Sequence, residues 1–235
     1  MSGRANLGLV VSLPPGIDLL GLAFEREGFC VVHGPDLLWG RDMRDFHPPP
    51  GVFAGVIGGP PCQQFSRANA INGSPGTDLI PEFVRVVNEA RPAFVVMENV
   101  EGARHSRDIP DEWFPAVLRD YDCGGETYRK RYFWTWPFAL LQPSRRRDGV
   151  PSYSVLATTG RRGRGLSVAT QDRVSLLPGN LPLAEYERLQ GVEGITGELM
   201  RCRSSKAFAI HVLGNGVPMA MGSFVARSVA LSVTR

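Results

Sequence analysis

Cysteine is scarce and scattered in this chain. Cys30, Cys62, Cys123 and Cys202 are the four in 235 residues, and no two form a Cys-x-x-Cys pair. That spacing argues against a zinc site or a disulfide framework and suits a reducing compartment. Long apolar runs are missing as well, since none reaches the ~18 residues that a membrane span needs. The opening residues, Met1-Ser2-Gly3-Arg4-Ala5-Asn6, lack the apolar core of a secretory signal. A cytoplasmic protein with no membrane partner and no metal is expected. There is no large excess of one charge either, the formal net charge being +3. The charge is unevenly placed, however. Nine arginines and Lys130 lie between Arg129 and Arg173, against Asp148 and Asp172, a local net of +8. Such a window is either a solvated arginine-rich loop or a surface that contacts phosphates.

Glycine and proline are plentiful, and one cluster of them organises the chain. The apolar, β-branched residues 51–57 read as a buried strand. Gly58-Gly59-Pro60-Pro61-Cys62-Gln63-Gln64-Phe65-Ser66 follows directly. Two glycines and two prolines stop the strand and stiffen the loop. Cys62 is thereby presented at a strand end, where open α/β sheets build their sites. A lone cysteine is commonly a small buried hydrophobe. The flanking prolines, glutamines and serine favour the other role of a thiol, that of nucleophile. Residues 68–76 are polar and read as a loop able to close over a substrate.

The remaining pattern alternates strands and helices. Residues 7–13 read as a first strand, Gly16 as a turn, and residues 19–27 as a helix ended by Gly28. Strand, glycine turn and helix together suit a nucleotide-like cofactor. Residues 29–33 read as a second strand, and Asp36 just beyond it is placed to accept bonds from ribose hydroxyls. A solvated turn carboxylate is the competing account of Asp36 and of Asp42. Leu79, Phe83, Val86, Val87 and Ala90 recur at helical spacing over residues 78–90. Residues 92–97 read as a buried strand that ends in Glu98-Asn99-Val100. A carboxyl at that point is either a catalytic acid or a capping, salt-bridging glutamate. Residues 127–134 alternate charged and aromatic side chains like a half-exposed strand, with Arg129 and Arg131 on one face. Residues 135–180 have no clear period. Residues 183–190 fit a short helix, and residues 211–218 read as opening a last amphipathic helix with Val217, Met221, Phe224 and Val225 on one side.

In this order the blocks resemble the cytosine-C5 DNA methyltransferases. Pro61-Cys62-Gln63-Gln64-Phe65-Ser66 resembles the family's Pro-Cys-Gln-x-Phe-Ser loop, and Glu98-Asn99-Val100 its Glu-Asn-Val. Arg129 and Arg131 fit Gln-x-Arg-x-Arg with Thr127 in place of Gln. Residues 185–191 are similar to Ala-Arg-Leu-Gln-Gly, and Gly214-Asn215-Gly216-Val217-Pro218 to Gly-Asn-x-Val-Pro. The first glycine turn departs from the pattern, since Pro14, Asp18 and Leu19 stand where the family has Phe, Gly and Gly.

The resemblance implies an α/β, Rossmann-like methyltransferase fold that uses S-adenosylmethionine. Residues 1–134 and 181–235 would form the catalytic domain, and 135–180 a small inserted recognition lobe. It implies that Cys62 attacks a cytosine flipped out of double-stranded DNA, that Glu98 serves ring nitrogen 3, and that Arg131 holds the carbonyl oxygen. Arg129 would support the thiol and phosphate geometry, and Arg188 would be structural. Cofactor contacts fall to Gly16, Asp36, Asp42, Pro60, Leu79 and Asn215, and DNA contacts to Gln63, Ser66, Arg161, Arg162 and Arg164. A bacterial or phage-encoded monomer is expected. An enzyme using the same chemistry on RNA, and a non-catalytic nucleic-acid-binding relative, are the alternatives.

Overall fold

A computed structural model describes residues 7–61, 78–144, 151–152, 154–155, 181–201 and 205–234. Six strands form one sheet: β1 (Leu9–Ser12), β2 (Cys30–His33), β3 (Gly55–Gly58), β4 (Phe94–Asn99), β5 (Phe114–Arg119) and β6 (Lys130–Trp136). Their order is β2-β1-β3-β4-β6-β5. The first four are parallel, β6 runs antiparallel to β4, and β5 runs antiparallel to β6. β3 and β4 lie inside the sheet and are buried along their whole length, which is why both read as continuous apolar runs.

Period-two alternation sorts the strand side chains onto two cores. Val10, Ile57, Phe94 and Val96 point to one face, where they meet Phe24 and Phe29. Val11, Val56, Val95 and Met97 point to the other, against Phe83, Val86 and Trp113. The first face is covered by α1 (Leu19–Glu27) and the second by α2 (Ile80–Ala90). Both helices match the sequence periodicity. α1 ends at Gly28 with φ 105°, the left-handed conformation that glycine adopts without strain. Among the described residues four more helices follow: α3 (Leu183–Gln190), α4 (Ile195–Arg201), α5 (Lys206–Asn215) and α6 (Met219–Val233). α6 packs along α1, and α3 and α5 add a third core with Leu19, Tyr186, Leu189, Ile210 and Leu213.

Three features differ from the sequence reading. β5 was not anticipated. It carries Pro115, which argues against a strand, but it lies at the sheet edge, where proline is tolerated. The last amphipathic helix is present and Pro218 opens it, but the earlier part of residues 211–218 belongs to a separate helix. His211 lies inside α5, Gly216 caps it, and Pro218 stands at the N-cap of α6. The stretch Lys206–Val233 is long and apolar enough to cross a membrane by composition, yet it is broken at this junction and mostly buried against the protein. Finally, within residues 135–180, Ser152 pairs with Thr127 and Val155 is buried with Leu19, Tyr186 and Leu213, so these two residues pack onto the body of the fold.

Candidate active site

The parallel strands place their C-terminal ends together, and a cleft of about 650 Å³ opens there. Ser12 from β1, Asp36 beyond β2, Pro60 after β3, Glu98 at the end of β4 and Asn215 at the end of α5 all line it. Two glycines shape the approach to the Cys62 loop. A Cβ on Gly58 would fall 1.6 Å from the Leu13 carbonyl oxygen, so β1 and β3 can converge only with glycine there. A Cβ on Gly59 would come 2.7 Å from Glu98 Oε2, so this glycine leaves room for the carboxyl. The next residues are pinned from both sides. Asn99 Nδ2 donates to the Pro60 carbonyl (3.0 Å), and the Leu79 amide donates to the Pro61 carbonyl (2.9 Å). Asn99 Oδ1 in turn accepts from the Val100 amide (2.8 Å). Sequence reasoning quoted Asn99 without giving it this task. Cys62, Gln63 and Ser66 lie outside the described residues, as do Arg161, Arg162 and Arg164.

Glu98 is 8% exposed. Burial pushes its carboxyl above the ordinary carboxylate range, against the opposing pull of Arg131 and Arg129. Arg131 Nε sits 2.6 Å from Glu98 Oε1, and its Nη1 donates to the Lys130 carbonyl (2.9 Å). A buried carboxyl, shifted upward by burial, and a guanidinium therefore share one wall of the cleft.

The other wall carries the expected cofactor residues. Asp36 accepts the Gly16 amide on Oδ2 and the Leu38 amide on Oδ1, both at 2.7 Å. A carboxylate offers about four lone-pair sites, so acceptor capacity remains for hydroxyl donors. Trp39, unremarked in the sequence, donates its indole N–H to the Gly16 carbonyl (2.9 Å). The Gly16 peptide is thus held at both ends by the short 3-10 turn Leu37–Trp39. Leu79, Pro60 and Asn215 also line the cleft. Asp42 does not. Its carboxylate binds the Arg44 amide and guanidinium, which hold it below the usual range, and Met43 takes the wall instead. Arg85 on α2 supports that wall by donating to the Met43 carbonyl (3.1 Å). A carboxylate for ribose hydroxyls, apolar walls from Leu38 and Val217, and the size of the cleft fit a nucleoside with an amino-acid arm.

Arg129 has a different task from the one expected. It precedes β6, is 2% exposed, and donates to the Val155 carbonyl (2.6 Å) and the Gly214 carbonyl (2.5 Å). Gly214 lies in the last turn of α5, where a cation also meets the negative end of the helix dipole. Arg129 thereby fixes the turn that carries Asn215. Gln190 supports the same turn from α3 by donating to the Leu213 carbonyl. Arg188 bridges Glu185 and Glu126, in keeping with a structural role. Arg129→Met is expected to destabilise the protein by about 3 kcal/mol or more, because two buried carbonyls lose their donor and Glu98 and Asp120 lose a nearby cation. Chemical denaturation checks this, and a variant as stable as wild type would return Arg129 to a purely catalytic role.

Residues 42–120 match the family model described as C-5 cytosine-specific DNA methylase. Over 156 residues the chain is 29% identical to the type II methyltransferase M.FnuDI of Fusobacterium nucleatum, covering 53% of this chain and 45% of that one. Over 89 residues it is 39% identical to M.HgiDI of Herpetosiphon aurantiacus, covering 33% and 29%. The chain thus covers less than half the length of either relative. In fold it is similar to the S. pombe Dnmt2 methyltransferase (TM-score 0.62, 13% identity, 97% and 99% of the two chains). It is also similar to the Entamoeba histolytica methyltransferase EhMeth (TM-score 0.58, 12% identity, 97% and 98%).

Proposed function

We propose that the chain is a member of the cytosine-C5 DNA methyltransferase family and that it methylates carbon 5 of cytosine in double-stranded DNA. One observation carries the reading: the Glu98–Arg131 pair lies in the same cleft as Pro60, two residues before Cys62. Carbon 5 of cytosine is a poor nucleophile, so electrons must first be pushed into the ring. The Cys62 thiolate forms a bond to carbon 6. Glu98, whose carboxyl burial pushes above the ordinary range, gives a hydrogen bond or its proton to ring nitrogen 3. Arg131 steadies the carbonyl oxygen as charge develops. S-adenosylmethionine supplies an electrophilic methyl group when bound, which carbon 5 takes up. A base then takes the carbon 5 proton, the electron pair left behind expels the Cys62 sulfur from carbon 6, and ring nitrogen 3 returns to Glu98 any proton it took.

Asp36, Gly16, Pro60, Leu79 and Asn215 are the residues that would hold the cofactor. A duplex hides both faces of the base, so the cytosine must leave the stack at a cost of a few kcal/mol, offset by phosphate and pocket contacts. Gln63, Ser66, Arg161, Arg162 and Arg164 are the proposed DNA contacts, the three arginines falling in a small lobe within residues 135–180. The reading includes a monomer acting in the cytoplasm of a bacterium or on behalf of a phage, in line with the bacterial sources of the two relatives.

The test is methyl transfer from labelled S-adenosylmethionine to duplex DNA and, in parallel, to transfer RNA. 5-Methylcytosine in the DNA, identified by mass spectrometry, is the expected product. Label in the RNA alone would move the reading to the RNA enzyme, and label in neither would favour a non-catalytic relative.

A further inference from the structure

Four buried side-chain polar atoms among the described residues have no hydrogen-bond partner: Asp18 Oδ2, Asp120 Oδ1, Arg129 Nε and Gln190 Oε1. Of these four residues, only Asp18 lines the cofactor cleft. Asp18 is 5% exposed and stands at the N-cap of α1 with φ 52°, in the glycine turn where the family pattern has glycine. Its Oδ1 is filled, by Ser12 Oγ at 2.7 Å and the Gly21 amide at 2.8 Å. Its Oδ2 meets only the imidazole of His33, 3.2 Å away at an ion-pair distance but without hydrogen-bond alignment.

A buried carboxylate oxygen without a donor is costly, and such groups are retained where a ligand, ion or water supplies the donor. The other acids on the cleft wall are already engaged. Both oxygens of Asp36 accept backbone amides and its remaining capacity is assigned to the ribose hydroxyls, and Glu98 is paired with Arg131. His33 ends β2 beside Ser12 and its side chain is 64% exposed, so the imidazole can turn away from Oδ2 into solvent without disturbing the core.

We propose that Asp18 is the recognition carboxylate for the ammonium group on the amino-acid arm of S-adenosylmethionine. It rests on the reading of the cleft as that cofactor's site. An ammonium carries three donors and a full charge, and one charge-assisted bond to Oδ2 completes the shell that Ser12 and Gly21 leave unfinished. The chain thus places a carboxylate in a turn that otherwise offers backbone groups alone.

The experiment is calorimetric and needs no turnover. Wild type, Asp18→Asn and Asp18→Gly are titrated with S-adenosylhomocysteine and with its analogue in which hydrogen replaces the amino group. Asparagine and glycine both accept the left-handed backbone of residue 18, so one folded variant suffices. Wild type is expected to prefer the amino ligand by about tenfold or more. Both variants are expected to lose most of that preference while binding the deaminated ligand as wild type does. His33→Gln is expected to keep the preference, since the imidazole is not the recognising group. Equal binding of both ligands by wild type, or an unchanged preference in the variants, overturns the assignment of Asp18 and leaves the cofactor site standing. No binding of either ligand by wild type removes the cofactor reading, and this proposal with it.

Discussion

Cys62→Ser is expected to abolish methyl transfer while leaving the fold and cofactor binding in place. A thiolate adds to carbon 6 because a useful fraction of the thiol is ionised near neutral pH and sulfur is intrinsically nucleophilic. An alcohol is neither. The substitution should not disturb the loop's attachment, because its described anchors involve no thiol: Asn99 holds the Pro60 carbonyl and Leu79 the Pro61 carbonyl. Wild type is expected to form a denaturation-resistant complex with DNA containing 5-fluorocytosine, in which the departing proton is replaced by fluorine. The serine variant should form none, yet bind S-adenosylhomocysteine as wild type does. Turnover by the serine variant at a rate near wild type would remove Cys62 from the mechanism.

The ends of β3 and β4 were legible for one physical reason. Strands buried on both faces write themselves as unbroken apolar runs, so the first polar residues after them mark the strand ends where sites form. β3 and β4 have that form, and Gly58 and Glu98 mark their ends. β5 was hidden because Pro115 breaks the strand signature and only an edge position permits it. α5 was hidden because Ala209, Ile210, Val212, Leu213 and Gly214 are all buried, and its exposed stripe is narrow and begins with the apolar Ala207 before His211 and Asn215. The end of α5 was therefore read as part of the opening of α6. Arg129 shows what local alternation cannot say. The pattern put it on a strand face with Arg131, but β6 begins at Lys130, and the partner that fixes its guanidinium, Gly214, lies 85 residues away. Asp42 was misplaced by a local competitor: Arg44, two residues on, takes its carboxylate. Asp18 did leave a signal, since an aspartate directly before a helix is a common N-cap. The burial of its second oxygen depends on β2 lying alongside β1, which only the fold supplies.

Glu98→Gln is expected to slow methyl transfer by about 10² to 10⁴, the usual contribution of a positioned acid. Glutamine keeps the shape and can still accept from Arg131, so the pocket should survive, but it cannot deliver a proton to ring nitrogen 3. The pH dependence separates this role from a merely structural one. Burial raises the Glu98 carboxyl above its unfolded value, and Arg131 and Arg129 oppose that rise without cancelling it. Below the unfolded value both states are protonated, and the stability contributed by the neutral, buried acid is fully present. As pH climbs through the raised folded value, the unfolded state sheds the proton first and that stability is lost. Wild type should therefore lose both activity and stability through this range. The glutamine variant, which does not titrate at residue 98, should show neither the alkaline fall in its residual rate nor that loss of stability. Rate profiles and chemical denaturation at acid and neutral pH measure the two effects. Wild-type activity that rises through the same range would mean that Glu98 works as a carboxylate paired to Arg131 and not as the acid.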